Sequence, residues 1–234
     1  MNAILLAAGF GSRFGEITKH IHKSLLPING TPNIERTIIF LRNSGVKNIV
    51  IVTGYLKEQF EYLQSKYNCN LVYNEMFDTY NNIYSVYKVL NYLGEGIGTY
   101  VIDSDVVLLK NIFKKESESK YFLIQRPYNK SKEWNPVYNS DGKIEDIVIS
   151  NDEIPSLLGI SFWTKKDALM IKDKFQCFMT DEHLRNPKLY WDDIPKSILS
   201  QLLPSFELLS MLEAVEMDTN DDYERVKGII QDAI

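Results

Sequence analysis

The chain has 234 residues, of which 44% are hydrophobic and 24% charged, and its formal net charge is −5 at pH 7. This length suits one α/β domain with a full core, and the composition is that of an ordinary soluble globule. The negative net charge excludes a general basic field for nucleic acid, so an anionic ligand must be held by local cations. The sequence lacks both an 18-residue apolar run and the charged start of a signal peptide. Its two cysteines lack zinc or disulfide spacing, so we expect a cytoplasmic protein without a membrane or nucleic-acid partner.

The first half of the chain alternates strand-like and helix-like segments. Apolar and β-branched runs predict strands at Ala3–Ala8, Asn48–Thr53, Asn70–Tyr73 and Thr99–Ile102. Helical spacing predicts helices from Thr31 to about Asn43, over about Leu56–Lys66 and over Asn82–Leu93. In the first helix Thr31 is the expected N-cap, Pro32 the first helical residue and Gly45 the terminator. Strands separated by helices indicate βαβ units, hence a mainly parallel sheet.

The second half has a different pattern. Strands are predicted at Tyr121–Gln125, Trp134–Tyr138, Ile144–Ile149, Leu157–Trp163 and Ala214–Met217, with a hairpin turn at Ser140-Asp141-Gly142. Helices are predicted over Lys165–Phe178, around Asp192–Leu203 and from about Asp221. No repeat, low-complexity tract or linker divides the sequence, so we predict one domain over residues 1–234.

The stretch from residue 3 to residue 28 is the most informative about function. An apolar strand ends at Gly9 and Gly11, and the cations Arg13 and Lys23 follow. Glycines let backbone N–H groups approach phosphate oxygens closely, and the two side chains offer a guanidinium fork and a mobile ammonium. The strand brings this loop to the carboxyl edge of the sheet, where open α/β sheets bind ligands. The stretch therefore indicates a polyphosphate site.

Two common nucleotide-binding loops do not fit this stretch. A dinucleotide-binding fingerprint needs G-x-G-x-x-G, but Phe14 stands at the third position and Gly15 comes one place late. The P-loop pattern G-x-x-x-x-G-K-[ST] does not fit either. A G-x-G pair alone is also found in ordinary strand-to-helix turns.

A denser pattern resembles the nucleotidyltransferase family, whose members join a nucleoside triphosphate to a phosphorylated acceptor. It reads L-A-A-G-x-G-S-R, then a lysine before L-x-P-[IV], and the matching residues are Leu6, Ala7, Ala8, Gly9, Gly11, Ser12, Arg13, Lys23 and Pro27. The resemblance implies a Rossmann-like, mainly parallel mixed α/β sheet flanked by helices, with a small acceptor-side β-hairpin lobe. Residues 1 to about 120 would be the nucleotide-binding half, and about 121–234 the acceptor-binding half. Lys23 and Arg13 would be the catalytic cations.

Two aspartates follow the predicted strand that ends at Ile102. Asp103 and Asp105 point the same way on an extended chain, and two carboxylates side by side favour a neutralising cation. Mg²⁺ prefers oxygen ligands and usually takes one or two carboxylates plus substrate phosphates. A solvated strand end is the alternative explanation. The resemblance implies that Asp105 is a metal ligand, that Asp218 is the second one, and that Asp103 lies in the nucleotide site.

Further motifs narrow the resemblance to the CTP:phosphocholine cytidylyltransferase branch. They are Tyr80-Asn81-Asn82 with Tyr84 and Ser85, Glu133-Trp134, Leu189-Tyr190-Trp191-Asp192 and Glu216-Met217-Asp218. Aromatic faces attract cations, so an aromatic box beside acids could hold an ammonium group, although core packing is the alternative for such residues. The predicted acceptor-binding residues are Trp134, Lys188, Tyr190, Trp191, Asp192 and Glu216. The resemblance also implies that Asn81 and Asn82 help to read the cytosine.

Lys188 departs from the pattern of the phosphocholine enzymes, in which the residue before L-Y-W-D is acidic. A lysine repels a quaternary ammonium but attracts a carboxylate. The chain is therefore also similar to the CTP:phosphoglutamine cytidylyltransferases of capsule pathways, unless Lys188 points to solvent.

The reaction implied by these resemblances is transfer of CMP from CTP to a small phosphorylated amine or amino acid. It would use Mg²⁺, release pyrophosphate and give a CDP-activated product for surface polysaccharide decoration. A sugar-1-phosphate nucleotidyltransferase, a nicotinamide-dependent oxidoreductase and a nucleotide-binding regulatory subunit are the alternatives, each of which fits fewer of the motifs. A homodimer is one of the oligomeric states that the sequence leaves open.

Overall fold

The computed structural model describes residues 1–126 and 132–231. The strands in this part are β1 (Asn2–Ala7), β2 (Pro27–Ile28), β3 (Thr31–Pro32), β4 (Asn48–Thr53), β5 (Asn70–Tyr73), β6 (Gly98–Asp103), β7 (Val106–Leu108), β8 (Lys120–Ile124), β9 (Glu133–Tyr138), β10 (Ile144–Ser150), β11 (Ser156–Thr164), β12 (Ser205–Leu209) and β13 (Ala214–Glu216). The α-helices are α1 (Asn33–Asn43), α2 (Tyr62–Tyr67), α3 (Asn82–Tyr87), α4 (Lys165–Phe175), α5 (Asp181–Arg185), α6 (Asp193–Lys196), α7 (Leu199–Leu202) and α8 (Asn220–Gln231). Short 3₁₀ helices cover Ser12–Phe14, Ile17–Lys19, Lys23–Leu25, Lys57–Phe60, Leu90–Tyr92 and Gln176–Phe178.

A seven-stranded sheet forms the centre, in the order β12-β8-β11-β6-β1-β4-β5. The pairs β1–β4, β1–β6, β4–β5 and β8–β12 are parallel, while β11 runs antiparallel to both of its neighbours. The predicted mainly parallel mixed sheet is confirmed, and β9 and β10 form the predicted separate hairpin. Leu6 of β1 lies opposite Asp103 of β6, so the glycine loop and the first aspartate come together at one edge of the sheet.

The predicted start of the first helix is wrong. Thr31 and Pro32 form β3, which pairs with β2, and helix α1 begins at Asn33 without a side-chain cap. Asn29 and Gly30 connect the two strands with positive φ angles of 50° and 77°. An Asn-Gly pair is the usual signal for such a tight hairpin turn, so the sequence contained this information. Gly45 closes the helix as expected, with φ at 79°.

Several predicted helices are shorter than their apolar spacing indicated. The segments 56–66, 82–93 and 165–178 each combine a short α-helix with a 3₁₀ turn, and 192–203 is divided into α6 and α7. The strands β7 and β12 and helix α5 were not predicted at all. β12 lies at the edge of the sheet, and its alternating exposed positions Phe206 and Leu208 give a weak core signal.

Two large apolar clusters form the main core of the protein. A third, smaller cluster packs the C-terminal helix α8 against the N-terminal loop. In that third cluster Phe14 and Ile28 pack with Met217, Tyr223 and Val226. The Tyr223 hydroxyl also donates a hydrogen bond to the carbonyl of Pro27 at 2.9 Å. This contact brings the segment after β13 beside the glycine loop. Among the described helices, none combines the length and the apolar character that crossing a membrane requires.

Candidate active site

The glycine loop leaves the sheet directly after β1. Gly9 and Ser12 are exposed, whereas the residues of β1 before them are buried. Gly11 has φ at 63° and starts the 3₁₀ turn Ser12–Phe14. A Cβ at Gly11 would also stand 3.3 Å from carbons of the Lys23 side chain. This position therefore requires glycine both for its backbone conformation and for the close approach of Lys23.

Lys23 connects the two predicted metal ligands. Its ammonium lies 2.7 Å from Asp105 Oδ2 and 4.0 Å from Asp218 Oδ1, and Arg13 Nη2 lies 2.6 Å from the same Asp218 oxygen. Burial by itself lowers the pKa of Lys23, but the Asp105 carboxylate outweighs it and the net shift is upward. Burial likewise raises the pKa of Asp105, and Lys23 more than reverses this. Both groups of this pair are therefore charged at neutral pH.

Three more acids lie around this pair and bear raised pKa values. Burial raises the pKa of Asp103 well above its usual value, and the neighbouring Asp105 adds to the shift. Burial also raises the pKa of Asp192 to about 7 and that of Glu216 to about 8, the latter against the attraction of Arg126. A concentration of carboxyl groups that resist ionisation is suited to receive a cation, because a bound cation restores the charged forms.

Two cavities adjoin at this cluster. The larger, of about 400 Å³, lies between Arg13 and α8 and is lined by Arg13, Arg126, Asp218, Asp222 and Arg225, among others. The smaller, of about 200 Å³, has its own wall of Asn82, Asp103, Trp134, Tyr190 and Asp192. Arg126, Glu133, Glu216 and Asp218 line both. A ligand with an anionic end and a cationic end could therefore extend from one cavity into the other.

The smaller cavity brings four of the six predicted acceptor residues together: Trp134, Tyr190, Asp192 and Glu216. The rings of Trp134 and Tyr190 meet edge to face, with centroids 6.1 Å apart. Trp191 does not line this cavity, because it is only 2% exposed and packs edge to face on Trp163 in the core. Lys188 is exposed and lines neither cavity.

The two predicted base-reading asparagines both make hydrogen bonds to backbone groups. The Asn81 amide caps α3 by accepting from the Ile83 N–H, and it donates to the carbonyls of His183 and Asn186. This amide connects α3 with α5 and has a structural role. Asn82 Oδ1 accepts a hydrogen bond from the Trp191 N–H at 2.8 Å, and Asn82 lines the smaller cavity together with Asp103.

Arg126 was missed from the sequence, although it follows β8 at the same edge of the sheet. Its guanidinium pairs with Glu216 through Nη2 and Nε, the latter at 3.1 Å, and donates to the Leu157 carbonyl at 2.8 Å. A second carboxylate, that of Glu133, lies 3.8 Å away. Its position just after a buried strand is the signal that could have identified it.

The metal prediction agrees with the donor set. The carboxylates of Asp105 and Asp218 both lie near the single ammonium of Lys23, so a hard cation could be held between the same two groups. In residues 1–126 and 132–231 no group of three or more His, Cys, Asp or Glu side chains is arranged to hold a metal ion. Two protein ligands leave room for substrate phosphates, as in many magnesium sites.

Comparison with known proteins agrees with this geometry. The model of the MobA-like NTP transferase domain matches residues 3–115. A choline-phosphate cytidylyltransferase of Haemophilus influenzae is 50% identical over 97% of this chain and 96% of its own. The solved structure of CTP:phosphocholine cytidylyltransferase from Streptococcus pneumoniae is 36% identical, with a TM-score of 0.91 and coverage of 98% of both chains. A CTP:phosphoglutamine cytidylyltransferase of Campylobacter jejuni is 31% identical over only 40% of this chain and 37% of its own.

The similarity to the choline-phosphate and phosphocholine enzymes extends over nearly the whole chain, so the chain belongs to the nucleotidyltransferase family, in its choline-phosphate cytidylyltransferase-like branch. The predicted fold class is thereby confirmed, as is the prediction of a nucleotidyltransferase enzyme.

Proposed function

We propose that the protein transfers CMP from CTP to choline phosphate and releases pyrophosphate. The observation that carries the proposal is the smaller cavity, whose wall combines the aromatic side chains of Trp134 and Tyr190 with the acids Asp192 and Glu216. Asp103 and Asp218 also line this cavity, and the Lys23 ammonium lies 4.0 Å from Asp218. Two relatives that match nearly the whole chain, at 50% and 36% identity, are named for this acceptor, which supports the assignment.

The cationic end of the acceptor would enter the smaller cavity. A quaternary ammonium cannot donate a hydrogen bond, so it is recognised by π faces and by negative charge. Asp192 and Glu216 have pKa values raised by burial, and a bound ammonium would lower both again. The cavity therefore favours a cationic ligand. When no ligand is bound, these two acids can stay protonated, which reduces the free-energy cost of burying them.

The phosphate end of the acceptor would then point toward Lys23. One of its oxygens attacks the α-phosphorus of CTP in line, a new P–O bond forms, and the bond to the bridging α–β oxygen breaks. The electron pair leaves with pyrophosphate. The acceptor oxygen is already ionised, so the step needs positioning and charge neutralisation rather than a general base. Lys23 and Arg13 would stabilise the leaving group, while Gly9, Gly11 and Ser12 hold the triphosphate through backbone N–H groups.

Asp105 and Asp218 would hold the divalent cation, which we propose to be Mg²⁺. When bound, the cation supplies charge neutralisation at the α-phosphate. The Lys23 ammonium, 2.7 Å from Asp105, would add its own positive charge beside the same phosphates. Arg126 holds Glu216 at the border of the two cavities, where it orients this carboxylate toward the acceptor.

Choline phosphate is a better acceptor than phosphoglutamine for this arrangement. The phosphoglutamine hypothesis depended on Lys188 facing the acceptor, and Lys188 is exposed outside both cavities. Asp192 and Glu216 in the smaller cavity have pKa values raised by burial, so they favour a ligand whose positive charge stabilises their ionised forms, whereas the carboxylate of an amino acid would oppose that ionisation.

The test is pyrophosphate release over four nucleoside triphosphates and a panel of acceptors. The panel contains choline phosphate, phosphoethanolamine, 2-aminoethylphosphonate, phosphoglutamine and glucose 1-phosphate. We expect the highest kcat/KM for CTP with choline phosphate, and an Asp105→Asn variant as the inactive control. Preference for a sugar phosphate or for phosphoglutamine would refute the acceptor assignment, and absence of pyrophosphate would refute the reaction.

The product would contain a phosphoanhydride bond between CMP and the acceptor phosphate, and a later transferase can use it as a donor with CMP as the leaving group. Its use for surface polysaccharide decoration, the cytoplasmic location and the homodimer remain predictions.

A further inference from the structure

The residue before Lys23 is a buried histidine that contacts the glycine loop. The His22 ring is 1% exposed and packs edge to face on Phe60, with centroids 4.9 Å apart. Its Nε2 lies 3.0 Å from the Gly9 carbonyl oxygen, and its Nδ1 lies 3.1 Å from the Ser24 nitrogen. Because the Ser24 N–H can only donate, Nδ1 accepts and the proton of the neutral ring is on Nε2. His22 therefore donates to the Gly9 carbonyl.

The residue after Lys23 is anchored on the opposite side. Ser24 Oγ donates to Ser104 Oγ at 2.7 Å, and both hydroxyls are buried. Ser104 stands between Asp103, the last residue of β6, and Asp105, and Asn33 Nδ2 donates to the Ser104 carbonyl at 3.2 Å. Lys23 is therefore held between two buried contacts, one to the glycine loop and one to the segment that carries Asp105.

The hydrogen bond from His22 determines how one loop peptide is oriented. In a trans peptide the carbonyl and the following N–H point in opposite directions. With the Gly9 carbonyl directed inward to His22, the Phe10 N–H points away from the ring, and it makes no hydrogen bond within residues 1–126 and 132–231. Gly9 offers little resistance to peptide rotation, because it has no Cβ and a Cβ there would meet open space. The Phe10 ring packs against Tyr55 and Phe77, and the polar restraint on the peptide comes from the His22 ring.

We propose that His22 is a positioning residue, which fixes the Gly9–Phe10 peptide and the Lys23 ammonium at one spacing for the triphosphate. The inference rests on the proposed function, because it assumes that the loop binds the triphosphate of CTP. Both ring nitrogens are engaged and the ring is inaccessible, so His22 does not touch substrate itself. Burial lowers the pKa of His22 to about 4, which agrees with a neutral ring at physiological pH.

Two substitutions separate the two hydrogen bonds of the ring. His22→Asn keeps an acceptor for the Ser24 N–H, since an asparagine side chain can bond the backbone two residues on, but it is too short to reach the Gly9 carbonyl. His22→Gln carries an N–H donor at about the distance of Nε2 and can reach that carbonyl. Calorimetric titrations with magnesium and CTP, and with magnesium and pyrophosphate, measure how tightly each ligand binds to the glycine loop in the absence of acceptor. Steady-state kinetics then give both KM values, and thermal melting of the free proteins reports folding.

We expect His22→Asn to weaken CTP and pyrophosphate binding by about 3- to 10-fold, which is the effect of losing one hydrogen bond. The KM for choline phosphate should stay unchanged, and His22→Gln should restore CTP binding to within about 2-fold. Wild-type affinity in His22→Asn, or equal losses in both variants measured well below their melting temperatures, would overturn the positioning role. A wild-type protein that binds pyrophosphate but not CTP contradicts the proposed function, while the pyrophosphate titrations still decide the role of His22.

Discussion

The stability of the protein should depend on pH through His22. Burial lowers the pKa of this ring from 6.5 to about 4; the Gly9 hydrogen bond and Asp105 oppose the shift, and Lys23 adds to it. As pH falls below about 6.5, the unfolded chain binds a proton at this residue that the folded chain does not bind until about pH 4. The stabilisation is complete above pH 6.5 and is lost as pH falls toward 4. Between pH 7.5 and pH 5 these values correspond to about 2 kcal/mol.

Urea unfolding of the wild type and of His22→Gln at pH 7.5, 6 and 5 tests this prediction. The free energy of unfolding of the wild type should fall by about 2 kcal/mol more than that of the variant over this range. Comparing the change with pH removes the pH-independent cost of the substitution, and it also cancels the titration of the other acids. His20 is exposed, so His20→Gln is the matched control and should follow the wild type. Parallel curves for the wild type and His22→Gln would show that the ring titrates alike in both states and would refute the reasoning.

Further predictions concern the two cavities. Lys23→Ala should lower kcat/KM by on the order of 100-fold, because it removes stabilisation of the leaving group. The control is Lys19→Ala on the exposed surface, which should leave kcat/KM near the wild-type value. Equal kcat/KM of the two variants in an assay of pyrophosphate release would contradict the role of Lys23. Burial raises the pKa of Asp192 to about 7, so this carboxyl group ionises between pH 6 and pH 8 and its negative charge should strengthen acceptor binding. Over this range the KM for choline phosphate should fall by up to about 10-fold more in the wild type than in Asp192→Asn. Identical pH profiles of the two proteins would exclude this carboxylate from acceptor binding. Trp134→Ala should raise that KM by about 2- to 30-fold, the range of a cation–π contact, without changing the KM for CTP. Lys188→Asp tests the departure noted in the sequence: its exposed position outside the cavities predicts an unchanged acceptor profile, and a shift toward choline phosphate would support the sequence-based hypothesis instead.

In the proposed acceptor site, the fold decides which aromatic side chains face the cavity, and residue type alone does not reveal this. Tyr190 and Trp191 are consecutive aromatics, yet Tyr190 is 48% exposed at the cavity and Trp191 is 2% exposed in the core. Neighbouring residues of a turn face different directions, and only the packing of α6 against the sheet decides which one meets the ligand. Arg126 shows the converse case. A single arginine after a strand forms no recognisable sequence motif. Its importance follows from its ion pair with Glu216, which is distant in the sequence.

The local sequence pattern identified the reaction class and predicted where a phosphate group would bind. Glycines at an αL turn, a lysine at fixed spacing and an aspartate at a strand end are local requirements, so they are visible as a linear pattern. The tertiary structure alone decided how these parts meet: α8 packs on the N-terminal loop and brings Asp218 to Arg13 and Lys23, 205 residues away from Arg13 along the chain. It also decided that His22 is a buried contact to the loop, since the burial of one ring depends on Phe60 and Gly9 packing around it. Burial and long-range pairing are properties of the packed chain, which is why they set the pKa values and the acceptor cavity while the local pattern set the chemistry.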